Sequence, residues 1–324
     1  DRDDDDFRAH FDQIDEIYRG IGGWSLRDAL HGDNLSERLR LTSVAQPLIF
    51  AIQSATTAAL RRRGLMPAMV VGHSVGEVAA AEAAGILDLK SAVRVIHSRS
   101  THQELVRGHG RMAAVLSPRD AVNQLVASVK NLSIAAINSP RAVTLAGPVE
   151  AIAALRDATK RQRLVFRDLD LDYPFHTPAM APVEAPLLAD LADLEARDSE
   201  VRFISTVTGQ CLPGSRMNAR YWWQNVREPV QFENALRQAV SLGARLFVEI
   251  GPRSTLQTHI SDSVEAEGEN FAVLSVLDRN DQNDKPFDKA VANCIIRGAQ
   301  LDNTAVFGPD PGTVGTLPTY PWQH

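Results

Sequence analysis

The sequence predicts an α/β protein, in which a parallel sheet covered by helices is interrupted by a small inserted unit. The first observation is that apolar residues alternate between helical and extended spacing on both sides of the middle of the chain. The second is that residues 112–172 follow a different order of strands and helices. With 324 residues, 44% of them apolar, the chain is long enough for one large domain and one smaller domain.

The first hundred residues carry mostly helical patterns around one strand. The longest helical pattern ends in a run of arginines followed by Gly64, which is a C-terminal helix signal. A short apolar run that leads into Gly72 has the length of a buried strand. We therefore predict a strand over residues 66–72 and helices over residues 7–21, 44–63, 75–86 and 89–106.

The middle of the chain has the order strand, helix, strand, strand, helix, strand. The predicted strands are residues 111–116, 132–137, 142–146 and 164–168, and the predicted helices are residues 119–129 and 150–161. This order is the split βαβ pattern of ferredoxin-like domains. It predicts a small ferredoxin-like domain over residues 112–172, inserted into a large domain made of residues 1–111 and 173–306.

Beyond the insert, helices and strands alternate again, as they do around a parallel sheet covered by helices. The predicted helices are residues 182–196 and 232–242, and the predicted strands are residues 202–207, 245–250 and 271–277. The end of the sequence is rich in Gly and Pro, which predicts a C-terminal linker over residues 307–324.

Composition excludes several classes of function. The net charge of −6 argues against a nucleic-acid-binding surface and against a membrane surface, and no apolar run reaches the roughly 20 residues of a membrane span. The two cysteines, Cys211 and Cys294, fit no metal or disulfide spacing, so we expect a reducing cytoplasm and no bound metal. The charged opening, residues 1–6, is typical of a linker or of a solvated tail.

A nucleophile elbow is the sharpest local signal. Residues 72–76 read Gly-His-Ser-Val-Gly, between a predicted strand and a predicted helix, which is the context that a G-x-S-x-G elbow requires. The glycines permit the tight turn, which lifts Ser74 Oγ above the sheet. The Val75 N–H and the helix N-terminus then face the place where an oxyanion would form. This predicts an α/β-hydrolase-like large domain, and the alternative is a chance Gly-Ser turn.

A serine nucleophile needs a base, and nine histidines are available. His176 stands out because it directly follows the insert, between Pro174 and Pro178, which would make its loop rigid. A loop histidine taken alone is more often a surface residue. The rival candidates are His73, His97 and His102, which lie closer to Ser74 in sequence.

Four motifs together resemble one family. Ser74 lies in GHSVGE, Arg99 in HSRS, His176 in YPFH and Asn225 in NVREPVQF, in the order and roughly the spacing of the malonyl-CoA:acyl carrier protein transacylase family. The sequence is most similar to the acyltransferase domains of type I polyketide synthases, over nearly the whole chain. Residues 317–323 resemble the linker that follows such domains in multidomain synthases.

The resemblance implies a role for each matching residue. Ser74 would be the acylated nucleophile, and His176 would be the general base and then the acid for the leaving thiol. The Val75 N–H would contribute to the oxyanion hole. The backbone carbonyl of Asn225 would orient the imidazole, in a Ser–His dyad without a carboxylate. An aspartate partner for the histidine stays an alternative, although the nearest candidates directly precede it in sequence: Asp168, Asp170 and Asp172.

The resemblance also implies which residue binds the carboxylate of the substrate. Arg99 follows Ser74 by 25 residues within a predicted helix, and its planar fork can hold a carboxylate through two hydrogen bonds. In the family this arginine holds the free carboxylate of malonyl. The alternative for a lone helical arginine is a surface salt bridge, and we interpret the nearby Arg94 and Arg111 as structural.

Residues around His176 and Ser74 bear on the choice of acyl group. In the family, a Phe before the catalytic His, here Phe175, accompanies malonyl, because its ring crowds the space of an extra methyl. Such selectivity is limited, since one methyl is worth only ~1–3 kcal/mol in a pocket. Val75 favours malonyl as well, whereas Tyr173 departs from the His that usually opens this tetrad in malonyl-specific domains.

The start of the sequence departs from the family. The family opens with a strand and a Gly-Gln-Gly-Ser-Gln loop, whose Gln N–H completes the oxyanion hole, whereas this sequence begins at the helix that normally follows. Only the Val75 N–H is therefore assigned to the oxyanion hole. Gln46 matches a family glutamine near the active site, and the sequence assigns it no role.

The resemblance implies an acyltransferase that moves a malonyl group from coenzyme A through a seryl acyl-enzyme to the phosphopantetheine thiol of an acyl carrier protein, in polyketide biosynthesis. The expected partners are that carrier domain, a neighbouring ketosynthase domain and malonyl-CoA, with no cofactor beyond the thioester substrate. One alternative is a serine hydrolase or editing thioesterase that shares the elbow. The other is a docking module without activity, which the joint presence of Ser74, Arg99 and His176 disfavours.

Overall fold

The computed structural model describes residues 4–268, 270–278 and 285–308. The predicted linker therefore lies almost entirely outside the described residues. The helices are α1 (Asp5–Gly22), α2 (Leu26–His31), α3 (Leu35–Arg38), α4 (Thr42–Arg62), α5 (Gly76–Ala83), α6 (Leu89–Gln103), α7 (Arg119–Ser128), α8 (Val149–Arg161), α9 (Glu184–Asp190), α10 (Ala219–Arg227), α11 (Phe232–Ser241), α12 (Gln257–Glu265), α13 (Pro286–Ile296) and α14 (Asn303–Phe307). The strands are β1 (Met69–Val71), β2 (Arg111–Leu116), β3 (Ser133–Ser139), β4 (Ala142–Gly147), β5 (Val165–Leu169), β6 (Arg202–Ile204), β7 (Cys211–Leu212), β8 (Leu246–Glu249) and β9 (Ala272–Ser275).

The sheets outside the insert are small and mainly parallel. Strand β1 pairs in parallel with β6, and β8 pairs in parallel with β9. Strand β7 then adds to β6 in the antiparallel direction, so the first of these sheets is mixed rather than purely parallel. The long helices α1, α4 and α6 pack on one another, with Tyr18, Phe50 and Ile96 buried among them.

The insert forms one four-stranded antiparallel sheet in the order β3-β4-β2-β5. Its two central strands, β4 and β2, are the third and first strands of the unit in sequence, which is the arrangement that the split βαβ order predicts. Helices α7 and α8 cover one face, and their apolar side chains meet the sheet in a core that is separate from the main one. Val115, Leu145 and Leu155 are fully buried in that core.

A backbone bridge connects the insert's sheet to the segment after α10. The Ile137 N–H of β3 donates to the Val230 carbonyl at 2.8 Å, and the Val230 N–H donates to the Ala135 carbonyl at 2.9 Å. A side-chain contact lies beside it, because His73 Nε2 is 2.8 Å from Asn138 Oδ1. The insert is therefore joined both to the nucleophile elbow and to the segment that follows α10.

The largest differences from the predicted elements lie in the second half of the chain. Residues 182–196 were expected to form one helix, but a 3-10 helix, Pro178–Val183, comes first and α9 covers only Glu184–Asp190. Pro182 and Pro186 explain the break, because a proline removes a helical N–H and crowds the preceding turn. The pattern gave no sign of α10, whose aromatic Tyr221, Trp222 and Trp223 are not typical helix formers.

The separate core of the insert predicts where its stability comes from. Leu145→Ala should lower the free energy of unfolding by about 2–5 kcal/mol, because it opens a cavity between β4 and the covering helices. Val165→Ala, on the edge strand β5 and half exposed, should change it by less than about 0.5 kcal/mol. Denaturant unfolding measures both, and equal losses for the two variants would contradict this description of the core.

Candidate active site

The nucleophile elbow is built as its sequence requires. Strand β1 ends at Val71, and a Cβ on Gly72 would lie 2.2 Å from the backbone nitrogen of Glu77, so no side chain fits there. Ser74 has φ 53°, in the left-handed region, and α5 begins two residues later. The left-handed backbone costs about 1–3 kcal/mol and persists only because the surrounding structure holds it.

Ser74 and His176 meet in a hydrogen bond although 102 residues separate them in sequence. Ser74 Oγ lies 2.8 Å from His176 Nε2, and His176 Nδ1 lies 2.9 Å from the carbonyl oxygen of Glu228. A carbonyl can only accept, so Nδ1 carries the proton and donates. Nε2 is then the free acceptor that faces the serine hydroxyl, which is the tautomer that a general base needs.

The residue that orients the imidazole is Glu228, and the assignment to the carbonyl of Asn225 is wrong. Asn225 lies inside α10, and its side chain points into the buried interior. Glu228 is the first residue after the helix, with ψ 153°, so its carbonyl leaves the helical direction and turns toward His176. The shift of three residues is one helical turn, which sequence spacing alone could not resolve.

A carboxylate partner for His176 is also excluded among the described residues. The ring nitrogen that would contact it is occupied by the Glu228 carbonyl. The three candidate aspartates instead form ion pairs with arginines: Asp168 with Arg156, Asp170 with Arg40 and Asp172 with Arg111. The structure therefore contains a Ser–His pair and not a triad.

The histidine is buried in an environment that keeps it neutral. Burial, with smaller contributions from the positive charge of Arg99 and from His73, lowers the pKa of His176 to about 3. A neutral imidazole is the form that accepts a proton. The rival histidines have other partners: His73 Nε2 lies 2.8 Å from Asn138 Oδ1, His97 packs its ring against Tyr18, and His102 lies 2.8 Å from Asp190.

Arg99 reaches the nucleophile from α6. Its side chain is buried, with 1% of its surface exposed, and its Nη2 donates to Ser74 Oγ at 3.0 Å. Nε donates to Asn225 Oδ1 at 3.1 Å, and Nη1 donates to Gln46 Oε1. These bonds use three of the five N–H groups, which leaves one on each terminal nitrogen without a partner among the described residues. Burial lowers the pKa of Arg99 to about 10, so the guanidinium stays charged at neutral pH.

Gln46 gains a defined place in the site. Its Nε2 donates to Gln103 Oε1 at 2.6 Å and to Thr42, so its Oε1 faces Arg99. The arginines that the sequence analysis treated as structural are at the surface, where Arg94 pairs with Asp193 and Arg111 pairs with Asp172.

Tyr173 and Phe175 form a stacked pair next to His176. Their ring centroids are 4.8 Å apart and their planes differ by 6°. Tyr173 is fully buried and donates to Glu104 at 2.7 Å, whereas Phe175 is half-buried and packs against the main core. Val75, at the start of α5, is also half-buried. Tyr173 therefore supports the position of Phe175 from behind.

Two residues of the site escaped the sequence analysis. Glu77 is fully buried and connects the elbow helix to Asn225 and to the chain after β6. Glu228 supplies the carbonyl for the histidine. The signal for Glu77 was available, because an acidic residue directly after the elbow glycine, on an otherwise apolar helix, needs a buried partner.

No group of three or more His, Cys, Asp or Glu residues within residues 4–268, 270–278 and 285–308 could hold a metal ion. Over the same ranges, no helix combines the length and the apolar character that a membrane crossing requires.

The α/β fold brings a neutral histidine and a buried arginine to the hydroxyl of an elbow serine. This arrangement is that of a serine acyl-transfer enzyme. The family described as "Acyl transferase domain" matches residues 2–300, and the chain belongs to it. The chain is 35% identical to polyketide synthase GfsB of Streptomyces halstedii and 33% identical to erythronolide synthase EryA2 of Saccharopolyspora erythraea. These alignments cover 93% and 98% of this chain, but only 5% and 9% of those much longer proteins.

Solved structures confirm the α/β fold. The acyltransferase domain from the second module of the salinomycin polyketide synthase superposes with a TM-score of 0.87 at 29% identity, covering 99% of this chain and 74% of that chain. The malonyl CoA-acyl carrier protein transacylase from Clostridium perfringens superposes with a TM-score of 0.79 at 21% identity, covering 90% and 92%. That second likeness concerns the fold alone.

The buried neutral histidine predicts a pH dependence of stability. The pKa of His176 is about 3 in the folded protein and 6.5 in the unfolded chain, so the unfolded chain binds the extra proton between these values. Its contribution to stability is complete above pH 6.5 and is lost as the pH falls toward 3, by about 1.4 kcal/mol per pH unit.

Denaturant unfolding at pH 7, 6, 5 and 4 tests this. His176→Gln should show a shallower loss of stability than the wild type, whereas the exposed His31→Gln should keep the wild-type slope. Equal slopes for wild type and His176→Gln would show that the folded protein protonates His176 as readily as the unfolded chain does.

Proposed function

We propose that this domain transfers a malonyl group from coenzyme A, through an ester on Ser74, to the phosphopantetheine thiol of an acyl carrier protein during polyketide assembly. The main observation behind this proposal is the position of Arg99. It is a buried cation that contacts Ser74 Oγ and keeps two N–H groups available. A cation in that position serves an acyl group with its own negative charge. The relatives named as polyketide synthases support the pathway.

In the acylation step, the Ser74 hydroxyl gives its proton to His176 Nε2 while its oxygen attacks the thioester carbonyl. The oxyanion that forms lies near the start of α5, where the Val75 N–H and the helix N-terminus stabilise negative charge. When the intermediate collapses, the C–S bond breaks and the coenzyme A sulfur takes the proton from His176. The Nδ1 bond to the Glu228 carbonyl holds the ring in place throughout.

The second half-reaction repeats the first with a different thiol. The phosphopantetheine thiol gives its proton to His176 Nε2 and attacks the malonyl ester, and the Ser74 oxygen leaves and takes the proton back. The substrate is already activated as a thioester, so the residues of this site complete the cycle without a cofactor. We propose a carrier domain and a ketosynthase domain as neighbours, in a cytoplasmic multidomain synthase, with residues 112–172 forming one wall of the cleft.

The malonyl carboxylate must lose water to enter the site, and this is costly unless hydrogen bonds and a counter-charge replace the water. The two available N–H groups of Arg99 match two carboxylate oxygens in the fork geometry. Phe175 lies directly before the base and is held by its stack on Tyr173. A ring fixed in this way supports malonyl over acyl groups that carry an α-methyl, within the limited range that one methyl allows.

A serine hydrolase or editing thioesterase would use the same Ser–His pair with water as the acceptor. Such an enzyme does not need a buried arginine on the nucleophile, which is why transfer is favoured. The two functions differ in product, because incubation with malonyl-CoA and a carrier protein gives malonyl-carrier in one case and free malonate in the other.

Ser74→Ala should abolish covalent malonylation, because Ser74 is the one described residue whose hydroxyl contacts His176 Nε2. Intact-protein mass spectrometry after incubation with malonyl-CoA measures the adduct, with the exposed Ser128→Ala as the control that should remain labelled. Replacing His176 in addition should reduce turnover little further, since the two residues act as a unit. An adduct on Ser74→Ala would place the nucleophile elsewhere.

Arg99→Ala should separate malonyl transfer from acetyl transfer. Loss of a buried charge-assisted pair typically costs about 2–5 kcal/mol, which corresponds to a fall in malonyl kcat/KM of about 30- to 4,000-fold. Acetyl transfer should be unchanged or faster, since no carboxylate then needs a partner. The ratio is taken within one variant, so a general loss of folded protein cancels.

Arg99→Lys should recover only part of the malonyl rate, because an ammonium offers a point charge and not a fork. The surface Arg94→Ala is the matched control and should keep the wild-type ratio. An equal fall of malonyl and acetyl transfer in Arg99→Ala would mean that Arg99 supports the fold and that another residue holds the carboxylate.

A further inference from the structure

A fully buried carboxylate lies behind the active site and touches neither nucleophile nor base. Glu77 accepts hydrogen bonds from the Thr206 hydroxyl at 2.8 Å, from Tyr221 OH at 2.7 Å and from Asn225 Nδ2 at 2.8 Å, and also from the Thr206 N–H. Burial raises the pKa of its carboxyl, and these donors oppose the rise. Among the described residues, Asn225 is the side chain that contacts both Glu77 and Arg99.

The side-chain amide of Asn225 contacts acceptors with its nitrogen and a donor with its oxygen. Its Nδ2 donates to Glu77 at 2.8 Å and to the Ser74 carbonyl at 3.2 Å, and its Oδ1 accepts from Arg99 Nε at 3.1 Å. Both partners of the nitrogen are pure acceptors and the partner of the oxygen is a pure donor, so only one orientation of the amide satisfies all three. A flipped amide would set N–H against N–H at Arg99 and oxygen against carboxylate at Glu77.

The orientation of this amide fixes the plane of the guanidinium. Arg99 is held at Nε by Asn225 and at Nη1 by Gln46, and these two contacts direct Nη2 to Ser74 Oγ. The negative charge of Glu77 also raises the pKa of Arg99, which opposes the effect of burial. A carboxylate two contacts away thus bears on the direction of the arginine side chain and favours its charged form.

We propose that Glu77 is a positioning residue for the substrate carboxylate, acting by setting the Asn225 amide so that Arg99 presents its fork beside Ser74. This deepens the proposed function and rests on it for its catalytic readout. The other role available to Glu77 is a purely structural one, since it connects α5, the chain after β6 and α10. A structural tie alone would affect every acyl group alike, whereas a positioning role is specific to acyl groups with a carboxylate.

Glu77→Gln replaces one acceptor oxygen with a donor NH2 group and hardly changes the shape of the side chain. The Thr206 backbone N–H can only donate, so the new amide must keep its oxygen there and turn its nitrogen toward Asn225. Asn225 must then flip and set its own nitrogen against Arg99 Nε. We expect the ratio of malonyl to acetyl kcat/KM to fall by about 10- to 100-fold, which is the scale of loss from a small misplacement of a binding group.

A charge-conserving swap should restore the arginine. In the double variant Glu77→Gln with Asn225→Asp, the new carboxylate accepts from the new amide on one side and from Arg99 Nε on the other. The ratio should return to within a fewfold of the wild type, while both absolute rates fall, because an aspartate oxygen replaces the Nδ2 donor to the Ser74 carbonyl. Asn225→Asp alone places two buried carboxylates in contact and should be severely impaired. Tyr221→Phe is the matched control, because it removes another donor to Glu77 without touching Asn225, and it should keep the wild-type ratio.

A second readout needs no substrate. In protein labelled with 15N-arginine, the Arg99 Nε–H resonance, assigned by its absence in Arg99→Lys, should be protected from exchange in the wild type. The protection should be lost in Glu77→Gln and recovered in the double variant. Should the wild type fail to transfer malonyl while this pattern holds, the proposed function would fail and the positioning role would stand.

The proposal is overturned if Glu77→Gln lowers malonyl and acetyl transfer equally, or if the double variant recovers neither the ratio nor the protected resonance. If Glu77→Gln does not fold, Asn225→Ala replaces it, since that variant removes the acceptor of Arg99 Nε and leaves Glu77 three donors. Its ratio should fall in the same way, and an unchanged ratio in Asn225→Ala would equally overturn the positioning role.

Discussion

The candidate active site depends on burying one positive charge, that of Arg99, beside the Ser74 hydroxyl. A guanidinium without water is costly, and this structure replaces the water with hydrogen-bond acceptors on Gln46, Asn225 and Ser74 and with the charge of Glu77. These groups come from four segments: α4, α10, the elbow and α5. Because each acceptor has to meet Arg99 within hydrogen-bond distance, the charge on α6 fixes how these segments sit against one another.

The same network supports the strained backbone of the elbow. Ser74 holds a left-handed conformation, and its carbonyl is bound by the Glu77 N–H at 3.1 Å and by Asn225 Nδ2 at 3.2 Å. The groups that satisfy the buried arginine therefore also hold the backbone that carries the nucleophile. These shared contacts explain why a carboxylate and an amide can be buried here: they satisfy one another, the arginine and the turn together.

The His176 ring is held by a backbone carbonyl rather than by a second charge. His176 donates to the Glu228 carbonyl, and two residues later Val230 exchanges hydrogen bonds with strand β3 of the insert. The insert thus holds the segment that orients the imidazole, and its Asn138 contacts His73 beside the nucleophile. A carbonyl orients the ring without adding a negative charge that would raise its pKa, so the histidine stays neutral next to Arg99.

The sequence by itself determined the elbow, the strand and helix order of the insert and the identity of Ser74, Arg99 and His176 as candidates, because these depend on local turns, on apolar periodicity and on a recognisable set of motifs. Only the tertiary structure decided that the carbonyl of Glu228 and not that of Asn225 binds the His176 ring, and that Asn225 connects Glu77 to Arg99. It also decided that His176 has no aspartate partner among the described residues. The physical reason is that these contacts depend on the directions in which carbonyls and side chains point. A helix end turns a carbonyl through a large angle within one residue, and packing between distant segments decides which side chain it meets.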